Sequence, residues 1–148
     1  MNFEVDILRS DDEHSPVHSR KAITEFLFEH LDEFGDNREA IGNCLAYAFG
    51  DGPGQSGFAV IAHVDERIMG AAIVNHTNMK GYIPENILVY IAVHREARGQ
   101  GLGKKLMEAV IAEADGEIAL HVESDNPARY LYEKYGFENK YLEMRRTQ

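Results

Sequence analysis

The sequence has few of the residues that would place it in a disulfide-rich, metal-finger or membrane class. Its 148 residues include one cysteine, Cys44, which excludes an intrachain disulfide, a zinc finger and thioredoxin-like CxxC chemistry. The longest strictly apolar run, Ile87 to Val93, covers seven residues, whereas a membrane-spanning helix needs about twenty. The first residues carry neither a basic nor an apolar segment, so no secretory signal is predicted.

Basic residues are also scarce. Lys and Arg number 15 against 25 Asp and Glu, which gives a formal net charge of −10, and residues 1–50 hold eleven acids and four bases. The exception is the segment from Arg95 to Lys105, with four bases and one acid. An acidic chain repels nucleic-acid phosphates, so general DNA or RNA binding is not expected. The basic segment is suited to a small anion, although a net charge of −10 also serves solubility alone.

Composition and patterning indicate one domain of mixed α/β structure. Hydrophobic residues make up 44% and charged residues 27% of the chain, as is usual for a globular protein. Alternating apolar residues over 3–7 predict a first strand. Ser15 and Pro16 predict the start of a helix that Gly35 ends, and Asp36 and Glu39 predict a capping box for a second helix.

The rest of the chain alternates between strand and helix signals. The nearly continuous apolar run at 86–93 predicts a central strand buried on both faces. The remaining predicted elements are a glycine-rich loop over 50–57, a hairpin of 58–64 and 68–74, a helix from Leu102 to Ala114, a strand over 118–122, a helix from Asn126 ending at Gly136, and a strand over Tyr141–Arg145.

A glycine-rich turn follows the predicted central strand. Gly99, Gly101 and Gly103 alternate before an amphipathic helix, and the unpaired N–H groups at a helix N-terminus attract anions. The P-loop and dinucleotide-binding spacings both fail, because Arg98 and Lys104 occupy positions where these motifs need glycine. The segment instead matches [QR]xxGx[GA]. An ordinary strand–helix turn is the alternative interpretation.

A second motif, N-x-A-x-x-x-Y-x-x-x-G-F, runs from Asn126 to Phe137. Together with the glycine-rich turn one helix earlier, it resembles the GNAT superfamily of N-acetyltransferases over about residues 58–145. The resemblance implies a single α/β domain over 1–148, with a central twisted, mixed and largely antiparallel sheet flanked by about four helices. Residues 1–50 would form the acceptor side, and residues 57–146 the acetyl-CoA-binding core.

The resemblance implies acetyl-CoA as co-substrate. In this family the central strand separates from its neighbour at a bulge, and its backbone pairs with the pantetheine amides. The glycine-rich turn would wrap the pyrophosphate, and Asn126 would hydrogen-bond the cofactor or simply cap the last helix. The implied binding residues are Ile91, Ala92, Val93, Arg98, Gly99, Gln100, Gly101, Leu102, Gly103, Lys104 and Asn126.

The resemblance also implies catalytic roles. Tyr132 would donate a proton or hydrogen bond to the departing CoA thiolate, with aromatic packing as the alternative. A backbone N–H near Ala92 would bind the oxyanion. The central strand lacks the acid that many relatives carry there. Glu85 is the nearest candidate for the general base and Glu123 the second, while a water chain, solvent or plain exposed acids are the alternatives.

The expected reaction is direct attack of a primary amine on acetyl-CoA in a ternary complex. A cationic acceptor (a small amine, polyamine, amino-sugar or peptide amine) is indicated by six acids of the first two helices: Glu25, Glu29, Asp32, Glu33, Asp36 and Glu39. The alternative is a non-catalytic acyl-CoA-binding regulatory module. We expect a cytoplasmic protein with no nucleic-acid or membrane partner, and the resemblance leaves a homodimer open.

No metal site is predicted. His14 and His18 are four residues apart, but Pro16 lies between them and prevents an interior helical pair. Cys44 lies on the apolar stripe of the predicted second helix, so it is expected to be a core residue rather than a nucleophile.

Overall fold

The computed structural model describes residues 2–12 and 15–148 and is built around a five-stranded sheet. The strands are β1 (Glu4–Leu8), β2 (Gly57–Val64), β3 (Arg67–His76), β4 (Asn86–Val93) and β5 (Ile118–Leu120). They follow one another in the order β1-β2-β3-β4-β5, with antiparallel pairing up to β4 and parallel pairing between β4 and β5. This confirms the predicted mixed, largely antiparallel sheet.

Four helices cover the two faces of the sheet. They are α1 (Arg20–His30), α2 (Arg38–Ala48), α3 (Leu102–Glu113) and α4 (Arg129–Lys134), with short 3-10 turns at Asp32–Phe34 and Arg95–Ala97. One hydrophobic core joins α1 and α2 to the sheet, and the other joins α3 and α4 to its opposite face. Apolar side chains alternate between the two faces along β2 and β3, so these strands are buried on both sides.

A β-bulge in β4 changes which face its side chains occupy. In the register with β3, Ile73 pairs with Tyr90 and Val74 with Leu88, so Val89 has no partner. Residues two apart in a regular strand point to the same face. Across the bulge they do not, because Leu88 joins the core under α3 and α4 while Tyr90 joins the core under α1 and α2.

Both predicted starts of the N-terminal helices are wrong. Helix α1 begins after Ser19, whose hydroxyl accepts a hydrogen bond from the Ala22 N–H at 3.1 Å, and it ends at His30 rather than at Gly35. The cap of α2 is Asn37, which accepts from the Ala40 N–H at 2.8 Å. In each case a polar residue further along the chain than the predicted one accepts a hydrogen bond from an unpaired N–H group at the start of the helix.

The predicted last strand is also wrong. Residues 141–145 have no strand assignment, and the side chains of Tyr141, Leu142 and Met144 are more than 80% exposed. A strand needs a partner and a buried face, and the neighbouring β5 is only three residues long, ending at Leu120 rather than Val122. Alternating apolar residues in a sequence do not show whether a partner strand and a buried face are present, and residues 141–145 have neither.

The predicted start of the last helix is also wrong, because α4 begins at Arg129 rather than at Asn126. The remaining predicted elements are confirmed. The hairpin appears as β2 and β3, β4 has the predicted bounds of 86–93, and α3 begins at Leu102. Cys44 is buried in the core under α1 and α2, as expected, and burial raises the pKa of its thiol to about 12. Among the described residues no helix is long and apolar enough to cross a membrane. His14 lies outside the described residues.

Candidate active site

The sheet opens between β4 and β5. The two strands pair only from Asn86↔Ile118 to Leu88↔Leu120. In the part of the chain that the structure describes, residues 90–93 therefore have β3 as their only strand partner. The predicted binding residues Ile91, Ala92 and Val93 lie on this segment. Its second edge is open to an extended ligand whose amides can pair with strand backbone.

The glycine-rich turn lies directly after this segment. Gly99 and Gly101 have φ values of +80° and +77°, which favour glycine because a side chain is strained there. A Cβ at either position would meet no atom within 4 Å, so the space beside the backbone is open. The cap of α3 is Gly101, and no side chain caps the first N–H groups of this helix. These donors fit a phosphate group.

Other residues of the turn have different local roles. Gln100 Nε2 donates to the Glu96 carbonyl at 3.2 Å, and Leu102 is a core residue that is 1% exposed. A Cβ on Gly103 would lie 3.4 Å from Leu131 Cδ2 and 3.8 Å from Val93 Cγ2. Both are ordinary van der Waals distances, so this position lies where α3 approaches α4 and β4. The Lys104 side chain is exposed.

Asp32 ties the basic segment to the end of α1. Its carboxylate accepts from Arg95 Nη2 at 2.7 Å and from Arg98 Nη2 at 3.1 Å. These hydrogen bonds hold the pKa of Asp32 below its usual range. Asp32 adopts a φ of +55°, an uncommon conformation for a residue other than glycine. Asp32 was predicted to face the acceptor, and its contact with the two arginines was not predicted.

Tyr132 lies on α4 and is 8% exposed. Its ring belongs to the hydrophobic core against which Ile91 and Val93 of β4 pack. Tyr132 therefore lies on the same face of the sheet as these two residues, in the part of β4 that has no β5 partner. Burial raises the pKa of Tyr132 to about 12. Among the described residues no group hydrogen-bonds its hydroxyl. The site therefore contains a protonated phenol that can donate to a ligand.

Asn126 forms a hydrogen-bonded turn before α4. Its Oδ1 accepts from the Ala128 N–H at 2.9 Å, and its backbone carbonyl accepts from the Arg129 N–H at 3.2 Å. The cap of α4 is Ala128, and no side chain caps this helix, so the alternative that Asn126 caps the last helix is wrong. A contact of Asn126 with the cofactor stays a prediction.

The first candidate base, Glu85, lies away from the bulge. The Glu85 carboxylate accepts from the Glu117 N–H at 2.7 Å, which holds the pKa of Glu85 below its usual range. A strand advances about 3.3 Å per residue, so Glu85 is roughly 13 Å along the chain from Val89. Glu123 is exposed beyond β5. The structure gives Glu85 a contact that stabilises the start of β5, and its catalytic role stays a prediction.

A pair that the sequence analysis missed lies on the opposite face of the bulge. The buried Tyr90 donates its hydroxyl proton to Asp36 Oδ2 at 2.5 Å. Burial and the Asp36 carboxylate raise the pKa of Tyr90. Asp36 itself is exposed between α1 and α2. No local signal reveals this pair, because its members are 54 residues apart and the bulge decides which face Tyr90 occupies.

The six acids predicted to line the acceptor side make different contacts. Glu25 accepts from Arg38 Nε at 2.7 Å. Glu25 and Glu29 line a cavity of about 290 Å³ together with His30 and His94, and His94 directly follows the end of β4. Of the six, Asp36 is the acid whose side chain bonds to β4 beside the bulge.

Comparison with known proteins identifies similar sequences and folds. The family model for the acetyltransferase (GNAT) domain matches residues 55–139, more than half of the chain. A 5-NmdU N-acetyltransferase of Pseudomonas phage PaMx11 is 43% identical over 56 residues, which are 36% of this chain and 40% of the phage protein. The match therefore covers well under two thirds of that relative's length.

Two solved structures have the same fold. An aminoglycoside N-acetyltransferase in complex with CoA superimposes with a TM-score of 0.67 and 19% identity, covering 100% of this chain and 97% of the other. A ribosomal-protein-alanine N-acetyltransferase from Brucella melitensis biovar Abortus superimposes with a TM-score of 0.66 and 16% identity, covering 100% of each chain. At these identities the likeness concerns the fold alone.

Proposed function

The chain belongs to the GNAT acetyltransferase family, and on that premise we propose that it transfers the acetyl group of acetyl-CoA to the nitrogen of an amine by direct attack in a ternary complex. Membership confirms the resemblance read from the two sequence motifs. The observation that carries the proposal is the opening between β4 and β5, which has the glycine-rich turn at one end and Tyr132 on one face.

The binding step uses backbone groups. The free edge of β4 at 91–93 suits the pantetheine amides, and the open N–H groups of Gly99, Gly101 and the start of α3 suit the pyrophosphate. The acetyl-CoA-binding core is thus assigned to 57–146 and the acceptor side to 1–50. Tyr132 belongs to the hydrophobic core against which Ile91 and Val93 of β4 pack, which supports its assignment beside the thioester.

The chemical step needs a neutral amine, an oxyanion donor and an acid. The amine nitrogen bonds to the thioester carbonyl carbon, and a backbone N–H near Ala92 stabilises the oxygen that becomes negative. The carbon–sulfur bond then breaks, and Tyr132 donates a hydrogen bond or its proton to the leaving sulfur. The amine loses its extra proton to water or to an acceptor-side carboxylate, so charges and protons balance.

The acceptor is proposed to be a cationic amine. Residues 1–50 carry eleven acids and four bases, and the Asp36 carboxylate lies beside the bulge through its bond to Tyr90. A carboxylate at this position can hold an ammonium group and later accept its proton. The phage relative is named for N-acetylation of 5-NmdU, so this compound belongs in the substrate panel beside polyamines, aminoglycosides and peptide amines.

The test of the proposed function is thiol release from acetyl-CoA with that panel. We expect release that depends on one class of amine and that falls about a hundredfold or more in Tyr132→Phe, because a hydrogen-bond donor directed at charge that develops in the transition state contributes roughly 10²–10³ in rate. Acetyl-CoA affinity should change little, since the phenol acts on the leaving sulfur.

Tyr130→Phe is the matched control. Tyr130 lies on the same helix but is 67% exposed, so its rate should equal that of the wild type. Acetyl-CoA binding without release for any amine would favour the non-catalytic binding module. Absence of acetyl-CoA binding would contradict the proposal.

The acceptor assignment has its own test. In Asp36→Asn the KM for the amine should rise about tenfold, a tenfold change being the usual effect of one lost charged contact, while the KM for acetyl-CoA stays unchanged. Glu39→Gln is the control, because Glu39 is an exposed acid in the first turn of α2. Equal amine KM values in both variants would remove Asp36 from the acceptor site.

A further inference from the structure

Three side chains converge at the edge of the sheet opposite the β4–β5 opening. Asp6 lies on β1, His18 lies just before α1, and His63 lies on β2. Asp6 Oδ2 is 2.9 Å from His18 Nε2 and 2.7 Å from His63 Nε2. The two imidazole rings are nearly perpendicular, with centroids 5.9 Å apart. Two nitrogens and one oxygen therefore surround a single point.

The far nitrogen of each ring is already bonded to an acceptor. His63 Nδ1 is 2.9 Å from the Asp65 carbonyl oxygen, which can only accept, and His18 Nδ1 is 3.0 Å from the Asp12 carboxylate. Each Nδ1 therefore carries the hydrogen, and a neutral ring then has a lone pair on Nε2. In both rings that lone pair points at the Asp6 carboxylate oxygen. Lone pairs facing each other at these distances require a positive charge between them.

We propose that Asp6, His18 and His63 bind a divalent transition-metal ion of the Zn²⁺ class. Metal-binding histidines characteristically donate their other ring N–H to a carboxylate or backbone carbonyl, the arrangement that Asp12 and Asp65 provide. Imidazole nitrogens with one carboxylate oxygen are ligands typical of Zn²⁺. The closest alternative to a metal ion is a proton shared within the cluster.

The dimensions of the cluster suit this ion. Zn–N and Zn–O distances of about 2.0–2.2 Å place tetrahedral ligands about 3.3 Å apart. The observed spacings of 2.7 and 2.9 Å require a small opening, which rotation of the Asp6 carboxylate can supply. The histidine side chains are 12% and 9% exposed, whereas that of Asp6 is 39% exposed. The Glu4 carboxylate lies 3.6 Å from His63 Nε2, so this carboxylate or a water molecule can supply the fourth ligand.

The proposed ion would join three segments that are far apart in sequence. It would hold β1 and the chain before α1 against β2, at the edge of the sheet farthest from the candidate active site. Its expected effect is on the stability of the fold rather than on acetyl transfer. The inference is therefore independent of the proposed function.

The test uses untagged protein treated with a chelator, because a histidine tag would itself bind the metal. Titration with Zn²⁺ should reveal one equivalent bound per chain, and Co²⁺ should give the visible absorption bands of a protein-bound ion. Zn²⁺, unlike Mg²⁺, should raise the thermal midpoint, because a ligand that binds only the folded state stabilises it.

Asp6→Asn and His63→Gln should each weaken Zn²⁺ binding at least tenfold, whereas His121→Gln, which changes an exposed histidine after β5, should bind like the wild type. If His63→Gln fails to fold, the more exposed Asp6 still provides the comparison. The proposal is overturned if no saturable one-to-one binding occurs, as a shared proton requires, or if the variants bind with wild-type affinity.

Discussion

At the scale of single residues, burial gives Tyr132 a property that matters for its proposed role. The raised pKa makes it a weaker acid than a free tyrosine, and weaker than a thiol with an ordinary pKa of about 8.5. Complete proton transfer to the thiolate is therefore uphill. A hydrogen bond from the Tyr132 hydroxyl to the sulfur stabilises the developing negative charge without transfer of the proton. We therefore expect Tyr132 to act as a hydrogen-bond donor rather than as a full proton donor.

The same shift predicts the alkaline side of the pH–rate profile. A group whose pKa is raised keeps its proton up to higher pH, so with a pKa of about 12 the phenol stays almost fully protonated to about pH 10.5. The kcat should rise as the amine loses its proton and then remain level to that pH. The measurement is kcat between pH 7 and 10.5 for the wild type and Tyr132→Phe. A decline centred near pH 10 that disappears in the variant would mean that the working phenol is solvated.

What sequence could predict depends on the distance between partners. The glycine-rich turn and the motif around Tyr132 lie within short segments, and their order identified the family. The contacts of Asp36 with Tyr90, Asp32 with Arg95 and Asp6 with His63 join residues 54, 63 and 57 positions apart. Such pairs depend on sheet register and strand order, which no local pattern contains.

At the scale of secondary-structure elements, the bulge at Val89 decides the architecture of the site. Without it, Leu88 and Tyr90 would share a face, and Tyr90 could not reach Asp36. The apolar composition of β4 correctly predicted a central strand. Its expected burial on both faces holds only in part, because the side chains of Ile87, in the paired part of β4, and of Val89, at the bulge, are 36% and 37% exposed.

The close pairing of β2 and β3 makes a second prediction at this scale. A Cβ on Gly57 would lie 2.1 Å from the Val74 carbonyl oxygen, so Gly57→Ala must displace backbone. We expect a loss of about 1–3 kcal/mol or more in the free energy of unfolding, as for other overpacked sites. Urea unfolding at equilibrium measures it.

Gly42→Ala is the matched control for this change. Gly42 lies inside α2, and its Cβ would meet no atom within 4 Å. Replacing a helical glycine by alanine should stabilise the protein by about 0.5–1 kcal/mol. A stable Gly57→Ala protein would contradict the β2–β3 packing described above.

At the scale of the whole molecule, Asp32 connects the proposed acceptor side to the proposed acetyl-CoA-binding core through Arg95 and Arg98. Two opposite effects on acetyl-CoA are conceivable, since the carboxylate anchors two arginines but also repels a nearby anion. Each arginine keeps a second contact if Asp32 loses its charge: Arg95 Nη2 donates to the Glu29 carbonyl at 3.0 Å and Arg98 Nη2 to the His30 carbonyl at 3.4 Å. The anchor is thus largely retained, and the loss of repulsion should dominate.

Asp32→Asn is therefore expected to lower the KM for acetyl-CoA about two- to fivefold at low salt, the size expected for removing one charge near a multiply charged anion. The effect should shrink at high ionic strength, because salt screens exposed charges beyond about 10 Å. Asparagine also tolerates the φ of +55° at this position. Glu33→Gln, an exposed acid of the same 3-10 turn without a bond to either arginine, should change this KM less. A raised amine KM with unchanged acetyl-CoA KM would instead return Asp32 to the acceptor site, because only a residue that contacts the amine would act on that parameter alone.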